Sequence, residues 1–144
     1  MFIEFLKSEA QLQNLISAST LDQIWTRHIA DSAQLLQWAA VNRARSGEWL
    51  DLGSGAGFPG VVVALLSNWN VKLVESRAKR IDYLHRLIER LELGEQTKVV
   101  GMPVERIGTG KFDVISARAF APLPRLLKLA ERFSTDKTIW LLPK

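Results

Sequence analysis

The 144-residue chain contains no cysteine. That excludes disulfides, cysteine-ligated zinc and any mechanism built on a thiol nucleophile, and it is compatible with a reducing compartment. Histidine is nearly as scarce: His28 and His85 are the two present, too few for a convincing metal site, and no metal is expected. No apolar run approaches the roughly 20 residues that cross a bilayer. The opening residues Met1-Phe2-Ile3-Glu4-Phe5-Leu6-Lys7 lack the basic-then-apolar pattern of a secretion signal. The expectation is a soluble, cytoplasmic protein without a membrane partner. Proline and glycine are missing from residues 1 to 45.

What is present has ordinary globular composition, 47% hydrophobic and 24% charged, which argues against a disordered or fibrous chain. The formal charge of +4 is unevenly placed. Residues 1 to 47 and 48 to 110 are each balanced, so the whole excess falls in residues 111 to 144, among them Arg118, Arg125, Lys128 and Arg132. Such a cluster points to phosphate contacts.

Apolar positions in residues 1 to 46 recur at spacings of three and four, as in Leu12, Leu15, Ile16 and then Ile24, Trp25, Ile29. This predicts a helical region, with Ser19-Thr20 supplying N-cap chemistry. Residues 47 to 144 read differently. Strands are predicted at residues 48–52, 71–75, 98–100, 112–118 and 138–142, with helices after the glycine cluster, through Ile81 to Leu91 with Gly94 as C-cap, and from Leu123 to Phe133. Strands alternating with helices predict a parallel sheet covered on both faces. Lys79, Arg80, Arg86 and Arg90 are expected on a solvated helix face with Asp82, Glu89 and Glu92.

The segment Leu50-Asp51-Leu52-Gly53-Ser54-Gly55-Ala56-Gly57-Phe58-Pro59-Gly60 sits where an open parallel sheet binds ligands, at the carboxyl end of its first strand. Two readings share its letters. Gly55-x-Gly57-x-x-Gly60 matches the dinucleotide fingerprint of a nucleotide-binding oxidoreductase. Gly53-x-Gly55-x-Gly57 with Asp51 upstream matches an S-adenosylmethionine loop, and a carboxylate there suits an ammonium or sulfonium better than a pyrophosphate. In either case Glu75, ending the second strand, is placed to bind ribose hydroxyls.

Asn14-Leu15-Ile16-Ser17, Arg27-His28-Ile29-x-Asp31-Ser32, the loop from Leu50 to Gly60, Glu75-Ser76 followed by Lys79-Arg80, and Ser116-Ala117-Arg118-Ala119-Phe120 together resemble the RsmG family, also called GidB, over essentially the whole chain. The resemblance implies a class I S-adenosylmethionine-dependent methyltransferase fold, Rossmann-like, preceded by a helical region. It also implies methyl transfer to the N7 of a guanine in bacterial small-subunit (16S) ribosomal RNA or its precursor particle. Position by position, it implies cofactor contacts at Gly53 and Phe58, at Val104 and Glu105, and at Arg118, and it matches Glu75 to the family's acid at the ribose; Gly55 and Gly57 are expected cofactor contacts from the loop pattern itself. Pro103 departs from the family pattern, which usually has arginine there. Arg27, His28, Arg118 and Phe120 are candidates for contacting the RNA, with His28 expected to be hydrogen-bonded and Phe120 either stacked on a base or packed in the core.

Guanine N7 carries an available lone pair, so methylation there needs no general base, and no catalytic acid or base is assigned. Attack through a cysteine adduct is excluded, and the Asn/Asp-Pro-Pro-aromatic signature of exocyclic-amine methylation is absent after the fourth strand. The fold implied normally has seven strands, of which five are predicted here. The C-terminal strands are expected to be missing and the fifth strand to offer an apolar edge for self-association. A cofactor- or RNA-binding module without turnover is therefore a further alternative.

Overall fold

The computed structural model describes residues 1–41, 46–118 and 120–143. Arg43, Arg45, Ala119 and Lys144 lie outside the described residues. Five strands, β1 (Glu48–Leu52), β2 (Asn70–Val74), β3 (Thr97–Val100), β4 (Val114–Ala117) and β5 (Ile139–Leu141), form one parallel sheet in the order β3-β2-β1-β4-β5. The strand order reverses at β1 and β4, which opens a crevice beyond their carboxyl ends. Short apolar runs form these strands because both faces of the sheet are covered.

Alternation along the strands divides the core in two. Trp49, Val71 and Leu73 point to one face, where they pack with α4 (Gly60–Leu66), α5 (Ala78–Arg90), α1 (Phe2–Ala10) and α3 (Asp31–Val41). Leu50, Leu52, Val74 and Ile115 point to the other, against Leu126 and Ala130 of α6 (Leu123–Ala130) and Phe133 in the 3-10 turn that follows. Burying a large apolar side chain contributes about 1.5–3 kcal/mol, so the fully buried Trp49, Leu73, Leu84 and Phe133 are principal anchors of the two layers.

The N-terminal region holds α1, the short α2 (Ala18–Leu21), a π-helical turn at Trp25–Ala30, and α3. Three local expectations along the chain need correction. The N-cap of α2 is Ser17, not Ser19 or Thr20. Helix α5 closes at Leu91, with Glu92 rather than Gly94 taking the left-handed position at φ 57°. Phe112, Asp113 and Arg118 flank β4 instead of belonging to it.

Of the basic residues of α5, Lys79 and Arg90 are exposed and Arg86 pairs with Asp82 as expected, while Arg80 and Arg86 are half-buried, Arg86 also reaching Glu9 of α1. Arg86 donates to Glu9 at 2.7 Å and to Asp82 at 2.9 Å, and the Arg90 guanidinium lies 4.8 Å from the Phe5 ring centre. The Arg86 contact holds the buried Glu9 carboxyl below its usual range. Strand β5 pairs with β4 at the edge of the sheet, its three residues half-buried. No described helix is long and apolar enough to cross a membrane.

Candidate functional site: two clefts meeting at a glycine loop

The loop between β1 and α4 turns through positive φ at Gly53 (69°), Gly55 (52°) and Gly57 (104°), conformations that cost other residues about 1–2 kcal/mol each. It is pinned from below. Asp51 is fully buried and accepts from Ser116 Oγ at 2.8 Å and from the Gly60 amide at 3.2 Å, while Ser116 Oγ accepts from Trp49 Nε1 at 2.8 Å. Tyr83 donates its hydroxyl to the Ala56 carbonyl at 2.9 Å, and the Ser54 amide donates to the Val74 carbonyl at 3.0 Å. Burial pushes the Asp51 carboxyl up to about 6 and raises the Tyr83 phenol as well.

Asp51 therefore does not face a ligand, and the charge complementarity expected of it with a sulfonium has no contact to rest on. It still separates the two readings of the loop. A pyrophosphate binds through free amides at a helix N-terminus. Here the Gly60 amide is held by the Asp51 carboxylate, the Val61 amide by the Gly57 carbonyl at 2.8 Å, and Pro59 has no amide to offer. Gly60 is needed for packing, since a Cβ there would lie 2.3 Å from Leu73 Cδ2.

A cleft of about 310 Å³ opens beside Gly53, lined by Val74, Glu75, Pro103, Val104, Glu105 and Phe120 among others. Glu75 is buried at its base and accepts three backbone amides: Gly55 at 2.9 Å on one oxygen, Ser76 and Arg77 at 3.0 Å each on the other. The oxygen that takes a single amide keeps acceptor capacity. Val104 packs into the core, its carbonyl accepting from Arg132, while the exposed Glu105 lies 3.9 Å from Arg125. Phe120 is half-buried and lies on Gly53, where a Cβ would be 2.6 Å from its ring. It packs partly against the core while also lining the cleft.

A second cleft, about 240 Å³, lies on the other side of Gly53 and is lined by Gly55, Phe58, His28, Arg80 and Arg118 together with Leu15 and Ile16. The His28 ring stacks on Phe58 at 4.8 Å between centres. Its two ring nitrogens have no hydrogen-bond partner among the described residues, against the expectation of a hydrogen-bonded histidine. Burial first, then the positive charge of Arg118, lowers its pKa and keeps it neutral. Arg118 Nη2 donates to the Arg27 carbonyl at 2.8 Å, joining β4 to the π-helical turn. Two expected residues stay outside both clefts. Gly57 is buried against Val61, and Arg27 is exposed with its Nε donating to Gln23 at 3.1 Å. Arg80 lines both clefts although its sequence position suggested a solvated role.

The first cleft is lined by apolar Val104 and Phe120 and by the Glu75 carboxylate, side chains of the kinds that can hold a base and its ribose. The second cleft shares Gly53 and Arg80 with it and lies over bare glycine backbone at Gly55, where a Cβ would meet nothing nearer than 3.8 Å. This is the ligand crevice of the class I methyltransferase fold. The same fold is seen in a methyltransferase from Thiobacillus denitrificans solved in complex with S-adenosyl-L-homocysteine: TM-score 0.68, 18% identity, covering 96% of this chain and 53% of that one.

The chain belongs to the family described as rRNA small subunit methyltransferase G (GidB), whose model matches residues 1–144. Relatives named ribosomal RNA small subunit methyltransferase G include one from Rhizorhabdus wittichii, 54% identical over 99% of this chain, and one from Sphingopyxis alaskensis, 53% identical over 99%. The chain spans 65% and 60% of the length of those two relatives.

Proposed function

We propose that this chain is the cofactor-binding core of an S-adenosylmethionine-dependent methyltransferase that modifies the N7 of a guanine in small-subunit ribosomal RNA, in the cytoplasm. The observation that carries the reading is the pair of clefts meeting at Gly53 in a member of this family, with Glu75 at the base of one and His28 and Arg118 in the other. The cofactor, when bound, would supply a sulfonium methyl group open to direct attack by the N7 lone pair, the carbon–sulfur bond breaking to release the thioether S-adenosylhomocysteine as a cationic 7-methylguanine forms.

The residues serve placement rather than proton transfer. Glu75 accepts hydrogen bonds from ribose hydroxyls and stays anchored by its three amides. Val104 and Phe120 supply apolar surface for the adenine, and Glu105 marks the rim. Gly53, Gly55 and Phe58 shape the floor of the second cleft. His28, neutral and unpartnered there, offers one donor and one acceptor to the edge of the incoming guanine, next to Arg118. A neutral ring also avoids repelling the cationic product. Arg27, exposed on the adjoining turn, and Arg125 and Lys128 of α6 are placed for phosphate contacts.

The test is incubation of the protein with methyl-labelled S-adenosylmethionine and small-subunit RNA or particles, followed by nucleoside mass spectrometry. The reading predicts label in 7-methylguanosine. Binding of S-adenosylhomocysteine without transfer would identify a cofactor-binding module instead, and label in another nucleoside would overturn the assigned site.

A further inference from the structure

Arg80 stands in the first turn of α5, at the carboxyl end of β2, and its side chain crosses the gap between the two clefts. Nη2 donates to the Asn14 carbonyl at 2.9 Å, and Nη1 lies 3.9 Å from where a Cβ on Gly55 would stand. The residue is half-buried, yet no carboxylate among the described residues pairs with it. Nearby acids are committed elsewhere: Glu9 and Asp82 to Arg86, Glu75 to three backbone amides. A cation held partly out of water without a counter-ion is costly unless a ligand supplies one.

Arg118 is in the same condition across the second cleft. It too is half-buried, tied to a backbone carbonyl of the N-terminal region and without an acidic partner among the described residues. Among the described residues no aspartate or glutamate lines that cleft, and its charged lining is Arg80 and Arg118, beside the glycine backbone of Gly53 and Gly55. Such a site selects an anion with two oxygens, because a guanidinium presents parallel N–H donors that match a carboxylate. The first cleft, in contrast, carries Glu75 and suits neutral hydroxyls.

We propose that Arg80 is a further cofactor-binding residue, which together with Arg118 holds the α-carboxylate of the amino-acid tail in the second cleft. The inference rests on the methyltransferase reading above and adds to it the group that fixes the tail. It also explains why Arg80 and Arg118 are each anchored to the N-terminal helical region: through Asn14 and Arg27, the bound carboxylate ties that region to the sheet.

Calorimetry with three ligands tests this without turnover. S-adenosylhomocysteine carries the whole tail, its decarboxylated analogue keeps the amine alone, and 5′-methylthioadenosine lacks the amino acid altogether. In Arg80→Met the affinity for S-adenosylhomocysteine should fall about tenfold or more, a change of at least ~1.4 kcal/mol. Affinities for the other two ligands should change less than about twofold, which also verifies that the variant is folded, and Arg80→Lys should recover part of the loss. An equal loss for all three ligands, or no loss for any, overturns the role of Arg80. If the unaltered protein binds neither S-adenosylhomocysteine nor 5′-methylthioadenosine, the cofactor reading itself fails and this inference with it.

Discussion

Replacing Asp51 with asparagine should reverse the usual advantage of a neutral-pH environment for a carboxylate, and the size of the effect follows from its burial. The side chain is fully inaccessible beneath the glycine loop and titrates near 6 against an ordinary 3.8, first because burial penalises the charged form, with hydrogen bonds from Ser116 and Gly60 opposing it. Below pH 3.8 both folded and unfolded chains carry a protonated Asp51. Between 3.8 and 6 the unfolded chain ionises while the folded one resists, so folding stability is lost as pH rises, and the loss is complete above 6.

At roughly 1.4 kcal/mol per pH unit, the full loss is about 3 kcal/mol, of which about 2 falls between pH 4.5 and 7. Asparagine cannot ionise, and the contributions of Glu9 and His28 cancel in the comparison. Urea unfolding followed by circular dichroism at both pH values should therefore show the wild-type stability, relative to Asp51→Asn, dropping by about 2 kcal/mol from pH 4.5 to 7. A difference that is flat with pH, or that grows in favour of aspartate, would refute the reasoning from burial.

Three other substitutions separate binding from folding. Gly55→Val adds volume over open cleft at φ 52°, so it should cost about 1–2 kcal/mol of stability while abolishing S-adenosylhomocysteine binding; unchanged affinity in a folded variant would refute the contact. Glu75→Gln replaces one acceptor oxygen with a donor facing backbone N–H groups, and should cost about 1–3 kcal/mol in denaturation and eliminate cofactor binding together. His28→Phe keeps a ring against Phe58 and removes the two unpartnered nitrogens. Because the folded pKa of His28 is lowered, its neutral form supports folding above the unfolded pKa near 6.5 and that support is lost as pH falls, so the variant's advantage in stability should widen from pH 7.5 to 5.

The sheet was legible because strands covered on both faces are short and mostly apolar, as with Val71, Leu73 and Val74 of β2, and because only glycine-rich sequence makes the turn at Gly53 to Gly57 without strain. The cleft residues that follow strand ends, Glu75 and Arg118, were legible for the same reason: strand ends are counted along the chain. What lay hidden depends on tertiary approach. The letters around Asp51 do not say whether its carboxylate points into the crevice or under the loop, since that turns on Ser116 being its register partner in β4. Arg80 resembled its solvated neighbours because nothing local reveals that residues 11 to 17 pass over the first turn of α5 and supply the Asn14 carbonyl. The available signals were its position in the turn that opens beside Glu75 and its place in the Lys79-Arg80 pair that shares in the family resemblance. His28 looked like an ordinary satisfied histidine, and only the packed environment shows that both nitrogens lack partners.

The central claim is that the clefts on either side of Gly53 hold S-adenosylmethionine and not a dinucleotide. Calorimetric titration of the protein with S-adenosylhomocysteine and, separately, with NAD tests it most directly. The account predicts saturable binding of S-adenosylhomocysteine, lost in Gly55→Val, and no heat of binding with NAD. Saturable binding of NAD with none for S-adenosylhomocysteine would contradict it.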